Sequence, residues 1–163
     1  MPVVGPQDDD TATASDLLAP TRQALPFVLI RAREMMLREL RPMMAQAGVS
    51  EPQWRILRVL TERDSCSVQA LAEAACLQAT SVSRILQSMV ERGLVLRVQD
   101  ATNRRRQIVT VTEEGRAIIT RFAPMSRSIT DGFATRFGLE RYADLVATLE
   151  EFIAQCGTEP DPD

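Results

Sequence analysis

The sequence predicts a mostly helical protein of the α+β class, in which helices surround one β-hairpin. Apolar residues recur at helical spacing in several long stretches. Aromatic residues make up only 4% of the 163 residues, and there are only 7 glycines. Two β-rich runs between residues 94 and 111 flank a polar loop. A chain of this length predicts one folded domain with a sizeable core.

Both ends of the chain are predicted to be disordered tails. Residues 1–21 are rich in Pro, Asp, Thr and Ala, and residues 157–163 have a similar polar, Pro-containing composition. The N-terminus is acidic, unlike the positive start of a signal peptide, and no apolar run is long enough to span a membrane. We therefore expect a cytoplasmic protein without membrane contact.

The first predicted helix occupies residues 22–48. Pro26 is tolerable in its first turn, whereas Pro42 should kink the helix or end it soon afterwards. Large apolar side chains fall on more than one face, so the helix needs burial on two sides. Gly48 marks its end.

Residues 49–112 are predicted to hold three helices and the hairpin. Ser50 and Gln53 form a capping box that starts the second helix. Ser67 caps a short third helix, Val68 to Ala75, and a brief turn leads to the fourth. Two short helices joined by such a turn indicate a helix-turn-helix layout.

The fourth helix, between Thr80 and Gly93, is predicted to be amphipathic. Its apolar residues have the spacing of one helix face: Val82, Ile85, Leu86, Met89 and Val90. The other face carries groups that hydrogen-bond base edges and phosphates: Thr80, Ser81, Ser83, Arg84 and Gln87. Alone, such a face is equally typical of a solvated surface helix. Arg84 could contact a guanine or a phosphate.

The hairpin loop concentrates positive charge. It contains Asp100, Asn103, Arg104, Arg105 and Arg106. Three adjacent arginines repel one another, and a phosphate backbone would relieve that repulsion. A solvated loop with one arginine paired to Asp100 is the alternative.

Net charge is distributed unevenly along the chain. The whole chain carries −3, but residues 84–106 hold six arginines against two acids, a local charge of +4 that leaves −7 elsewhere. All 19 basic residues are arginine. A local basic strip of this kind is typical of a nucleic-acid-binding surface.

Two further helices are predicted after the hairpin. Thr112 caps a helix of about residues 113–131, with a bend expected at Pro124, and the last helix covers about 139–155. The chain has 0 His and three cysteines without a CxxC pair, so we expect neither a metal nor a cofactor. No nucleophile motif or phosphate-binding glycine loop is present, which argues against an enzyme.

Taken together, these features resemble the MarR family of winged helix-turn-helix repressors over about residues 25–155. The residues that carry the resemblance are Gln53-Trp54-Arg55-Ile56-Leu57, Leu71-Ala72-Glu73, Ser81-Val82-Ser83-Arg84, Glu91-Arg92-Gly93-Leu94-Val95 and Val111-Thr112-Glu113-Glu114-Gly115. Ala32-Arg33-Glu34 with Arg41-Pro42 looks most like the branch that regulates homoprotocatechuate degradation.

The resemblance implies a homodimer that binds a pseudo-palindromic operator in double-stranded DNA. Residues 22–48 and 113–156 would form its dimerisation region, and residues 49–112 a winged helix-turn-helix with a two-stranded β wing. The family's wing commonly reads Asp-x-Arg-Asp-x-Arg; here Asp100 and Arg105 match, whereas Thr102 and Asn103 do not. The resemblance thus gives Arg105 the role of entering the minor groove and Asp100 the role of holding it.

The resemblance also implies that a small aromatic carboxylate releases the repressor from DNA. Arg33, Trp54 and Arg58 are the candidate effector-binding residues, and the alternative places Trp54 in the core and the arginines in surface or dimer ion pairs. A thiol-based redox repressor is a competing hypothesis, using Cys66, Cys76 or Cys156. A winged domain that binds only proteins is another.

Overall fold

The computed structural model of the chain describes residues 18–100, 102–103 and 106–157. These residues form α1 (Leu25–Gln46), α2 (Glu51–Arg63), β1 (Ser65–Ser67), α3 (Val68–Ala74), α4 (Ala79–Glu91), β2 (Val95–Gln99), β3 (Gln107–Val111), α5 (Glu113–Phe137) and α6 (Leu139–Cys156). The predicted mostly helical fold class is confirmed. None of these described helices combines the length and the apolarity needed to cross a bilayer. Most of the two predicted tails lies outside the described residues.

The chain divides into two compact units, with the boundary inside α1 between Glu39 and Leu40. In the N-terminal unit, the start of α1 exposes many large apolar side chains: Leu25, Phe27, Val28, Leu29, Ile30 and Met35. This is the surplus of apolar surface that the sequence predicted for this helix.

The second unit has a core built by its helices and its sheet. Its most deeply buried side chains are Met43, Ile56, Leu57, Leu60, Leu71, Val82, Leu86, Met89, Val95 and Val109. Three of these are on the predicted apolar stripe of α4. Val90 departs from that stripe with 40% exposure, because it lies at the stripe's edge. Burial of the stripe leaves the opposite face of α4 in solvent.

The sheet has three antiparallel strands in the order β1-β3-β2: β2 and β3 form the predicted two-stranded wing, and β1 is an additional strand that was not predicted. Val109 of β3 pairs with Arg97 of β2 on one side and with Cys66 of β1 on the other. β1 pairs with the backbone N–H and C=O groups on the second edge of β3, which would otherwise lack strand partners. Its last residue, Ser67, also caps α3 by accepting a hydrogen bond from the Ala70 amide at 3.2 Å.

Two helices contain a proline in their interior and continue beyond it. α1 continues past Pro42 to Gln46, and α5 continues past Pro124 to Phe137 instead of ending at 131. Phe122, Ser126 and Phe133 are buried along α5. The packing of this face on both sides of Pro124 outweighs the loss of one backbone hydrogen bond.

Candidate nucleic-acid interface

The candidate recognition helix is α4, which its buried stripe fixes on the core. All five residues predicted to contact DNA are exposed on its outer face: Thr80, Ser81, Ser83, Arg84 and Gln87. The Gln87 amide donates a hydrogen bond to Glu91 Oε1 at 3.3 Å, so this side chain has a partner on its own helix. Gly93, with φ of +69°, ends the segment in the left-handed conformation that glycine allows.

Two grooves flank α4, and three of its predicted contact residues line them: Ser81 and Arg84 line one, and Ser83 lines the other. On one side, Ser81 and Arg84 line a groove of about 700 Å³ with Ser50 and Gln53 from the start of α2. The other groove, about 940 Å³, brings together Ser83 of α4 with wing residues Asn103 and Arg106, and with Ser67, Gln69 and Glu73. Hydroxyl, amide and guanidinium groups from helix and wing, which are groups that contact phosphates, thus line one concave surface that also contains the carboxylate of Glu73.

Asp100 organises the described part of the wing loop. Its Oδ1 accepts hydrogen bonds from the Thr102 hydroxyl at 2.7 Å, the Thr102 amide at 2.8 Å and the Asn103 amide at 3.4 Å. The Thr102 hydroxyl, above all, lowers the pKa of the Asp100 carboxyl; the amides and the charge of Arg106 act in the same direction. Thr102, which replaces the family's usual arginine, therefore helps to fix the loop.

Two of the predicted wing residues, Arg104 and Arg105, lie outside the described residues. The predicted contact between Asp100 and Arg105 is therefore untested. The loop's described backbone closes through two hydrogen bonds, from Asp100 N to the Arg106 carbonyl at 2.9 Å and from Arg106 N to the Asn103 carbonyl at 2.8 Å.

Thr112 and Gly115 join the wing to α5 more closely than the sequence indicated. The Thr112 hydroxyl donates to the Gly93 carbonyl at 2.7 Å and accepts from the Gly115 amide at 3.1 Å. Gly115 is buried, and a Cβ there would overlap the Leu94 carbonyl oxygen and come within 2.9 Å of Val111 Cγ2. No local sequence pattern marks this role of Gly115, because the contact depends on tertiary packing.

The candidate effector residues Trp54 and Arg58 line a groove between α2 and α5. It has a volume of about 380 Å³, and its lining includes Thr61, Glu62, Ile119, Ala123, Ser126, Arg127 and Thr130. Trp54 is only 6% exposed, as the core interpretation requires, yet it also forms part of this groove. Arg58 lies 3.5 Å from Glu62. Arg33 is exposed on α1 in the N-terminal unit.

The cysteines are free thiols in different environments. Cys66 is half-buried on β1, whereas Cys76 and Cys156 are exposed. Burial raises the pKa of the Cys66 thiol, and the nearby charge of Arg63 offsets this only in part. A raised pKa disfavours the reactive thiolate. In the described part of the chain, no cluster of three or more His, Cys, Asp or Glu residues could hold a metal ion.

Comparisons with known proteins agree with this geometry. The sequence model of the MarR family matches residues 49–106. The homoprotocatechuate degradative operon repressor of Escherichia coli is 34% identical over 131 residues, which cover 80% of this chain and 88% of the relative.

Two solved structures resemble the fold closely. The transcriptional regulator PA4135 superposes with a TM-score of 0.78 at 28% identity, covering 84% of this chain and 98% of that one. NadR in complex with 4-hydroxyphenylacetate superposes with a TM-score of 0.73 at 29% identity, covering 83% of this chain and 96% of NadR.

Proposed function

The chain belongs to the MarR family, and on that premise we propose that it is a DNA-binding repressor of a catabolic operon, released by a small aromatic acid. The observation that carries the proposal is the exposed polar face of α4 beside the wing, with Ser83 and Arg106 lining one groove. In this proposal the protein acts in the cytoplasm, by binding DNA rather than by catalysis.

In this proposal α4 enters the major groove and the wing reaches the adjacent minor groove. Thr80, Ser81, Ser83, Arg84 and Gln87 supply the contacts from α4; Asn103, Arg104, Arg105 and Arg106 supply those from the wing. Arg84 shares its groove with the start of α2, where the helix dipole favours an anion such as a phosphate. This position favours a phosphate contact for Arg84 over a base contact.

A homodimer would present two such helices to a pseudo-palindromic operator. No residue of α6 is buried within the single chain, and the helix exposes large apolar side chains: Leu139, Leu145, Val146, Phe152 and Ile153. A surface of this kind needs a partner. A second copy of the chain would cover it. The apolar start of α1 needs a partner for the same reason.

The groove between α2 and α5 is the proposed effector site. Trp54 and Ile119 supply an apolar wall for an aromatic ring, and Arg58 and Arg127 supply cations for a carboxylate. Arg58 now lies 3.5 Å from Glu62 and Arg127 lies 3.7 Å from Asp131, so the acid would replace a surface ion pair. The ligand class is an arylcarboxylic acid, such as the 4-hydroxyphenylacetate bound to NadR.

Selection of genomic DNA fragments by the purified protein, followed by sequencing, tests the DNA-binding part. The expected result is one or a few sites with two related half-sites, bound with an affinity that falls steeply with salt. Equal binding to every fragment, or no binding, would refute a sequence-specific repressor.

Isothermal titration with a panel of phenolic acids tests the effector part. Arg58→Ala should weaken binding of the acid about tenfold or more, because a charge-assisted hydrogen bond is lost. Arg63→Ala is the matched control, since Arg63 is exposed on the same helix and is not part of the groove lining. If no acid binds the wild-type protein, the effector assignment fails and the DNA-binding assignment is unaffected.

A further inference from the structure

The segment after α4 is fastened to the start of α2 by Arg92. Its Nη2 donates a hydrogen bond to the Gly48 carbonyl at 2.7 Å, and its Nη1 donates to Gln53 Oε1 at 3.2 Å. The same Gln53 oxygen accepts from the Ser50 amide at 3.0 Å, in the capping box of α2. Arg92 therefore joins the end of α4 to the first turn of α2.

The turn before α4 is fastened to α2 as well, by Arg55. Its Nη1 donates to the Ala75 carbonyl at 2.7 Å and to the Cys76 carbonyl at 3.0 Å. Glu51, one turn earlier on α2, lies 3.5 Å from Arg55 Nε. Cys76 has φ of +50°, a conformation that costs free energy for a non-glycine residue and needs support from its surroundings.

The turn that leads into α4 and the residue that ends α4 are thus both attached to the start of one helix, α2. We propose that Arg92 and Arg55 are positioning residues for DNA binding: they hold α4 at the angle that fits the major groove and do not contact DNA themselves. The inference rests on the proposed DNA-binding function. The basis of the inference is that both terminal nitrogens of Arg92, and Nη1 of Arg55, donate hydrogen bonds to oxygen atoms of the protein itself.

The consequence for regulation follows from α2. This helix carries Trp54 and Arg58 in the proposed effector groove, and it carries Gln53 and Arg55 in the contacts to the residues that flank α4. A shift of α2 on effector binding would therefore move the segments on both sides of α4. Only a small displacement of α4 would be needed to weaken DNA binding, because the hydrogen bonds to base edges are short and directional.

Salt titrations of DNA affinity with Arg92→Met and Arg84→Met test the proposal, using the operator that the wild-type protein selects. Arg92→Met removes both hydrogen bonds of Arg92 and should weaken binding about tenfold, with no change in the slope of log K against log[salt], because no phosphate contact is lost. Arg84→Met is the control for a residue proposed to contact a phosphate, and should reduce the magnitude of that slope by about 0.9. Arg55→Met is expected to behave like Arg92→Met.

Two results for Arg92→Met would overturn the inference. Unchanged affinity would make Arg92 merely structural, and a slope reduced as for Arg84→Met would make it a phosphate contact. Circular dichroism confirms that each variant is folded at the assay temperature. If Arg92→Met does not fold, Gln53→Leu and Arg92→Lys test the proposal instead, because both variants retain the positive charge at residue 92. Weaker DNA binding at an unchanged salt slope supports a positioning role. Unchanged DNA affinity of both variants refutes it. Failure of the wild-type protein to select any DNA would instead refute the proposed function itself.

Discussion

Gly115→Ala should destabilise the protein, although alanine is normally the better helix former. Gly115 lies in the first turn of α5 and is buried against the segment that leads into the wing. An added Cβ would overlap the Leu94 carbonyl oxygen, and it would lie 2.9 Å from Val111 Cγ2 and 3.1 Å from Leu57 Cδ2. The worst of these contacts involves backbone, so no change of side-chain rotamer can relieve it.

The expected loss follows from two opposing terms. Overpacking of a well-packed site costs about 1–3 kcal/mol, and a backbone contact belongs near the top of that range. Alanine gains back up to about 1 kcal/mol over glycine within a helix. The net loss is then about 2 kcal/mol, which corresponds to a fall in Tm of about 4–8 °C for a chain of this size.

Thermal unfolding at one fixed protein concentration measures this change, because the proposed dimerisation would make Tm depend on concentration. Gly132→Ala is the matched control: the same substitution in the same helix, at a glycine with nothing within 4 Å of the added Cβ. It should raise Tm by about 1–3 °C through helix propensity alone. A Tm for Gly115→Ala equal to or above that of the wild-type protein would refute the close contact with Leu94.

Three further predictions concern the wing and the sheet. Arg105→Ala should weaken operator binding, and an unchanged affinity in a mobility-shift titration at physiological salt would contradict the wing assignment. Thr102→Val should raise the pKa of Asp100, measured by carboxyl NMR, because the hydroxyl that chiefly lowers this pKa is removed. Since that pKa is depressed, the stabilisation of the loop should be present at neutral pH and disappear as pH falls through the pKa of folded Asp100. Cys66 should be alkylated more slowly at neutral pH than the two exposed thiols, as peptide mapping would detect.

Local sequence patterns predicted the elements that depend on nearby residues. The capping box of Ser50 and Gln53 forms as predicted, with both of its hydrogen bonds. The apolar stripe of α4 is buried at Val82, Leu86 and Met89, which is why the polar residues between them face outwards. The resemblance to the MarR family, drawn from short motifs in a fixed order, is confirmed by the 34% identity to the homoprotocatechuate operon repressor over 131 residues, together with the family match over residues 49–106.

The features that the sequence did not reveal depend on partners far along the chain. β1 consists of Ser-Cys-Ser, too short to show strand alternation, and it is a strand only because β3 pairs with it. The contact of Arg92 with Gly48 joins residues 44 positions apart, and no local pattern marks it. The extent of α5 beyond Pro124 is likewise decided by the burial of Phe133.

The double attachment of α4 to α2 has a consequence for anyone who would engineer the protein as a biosensor. Different residues of the 13-residue helix α2 line the proposed effector groove and hold α4 in place. Mutant libraries aimed at a new ligand can vary Arg58, Thr61 and Glu62, which line the groove. Gln53 and Arg55 should stay constant, because a library that also varied them would change the DNA affinity of the protein while its ligand specificity was being selected.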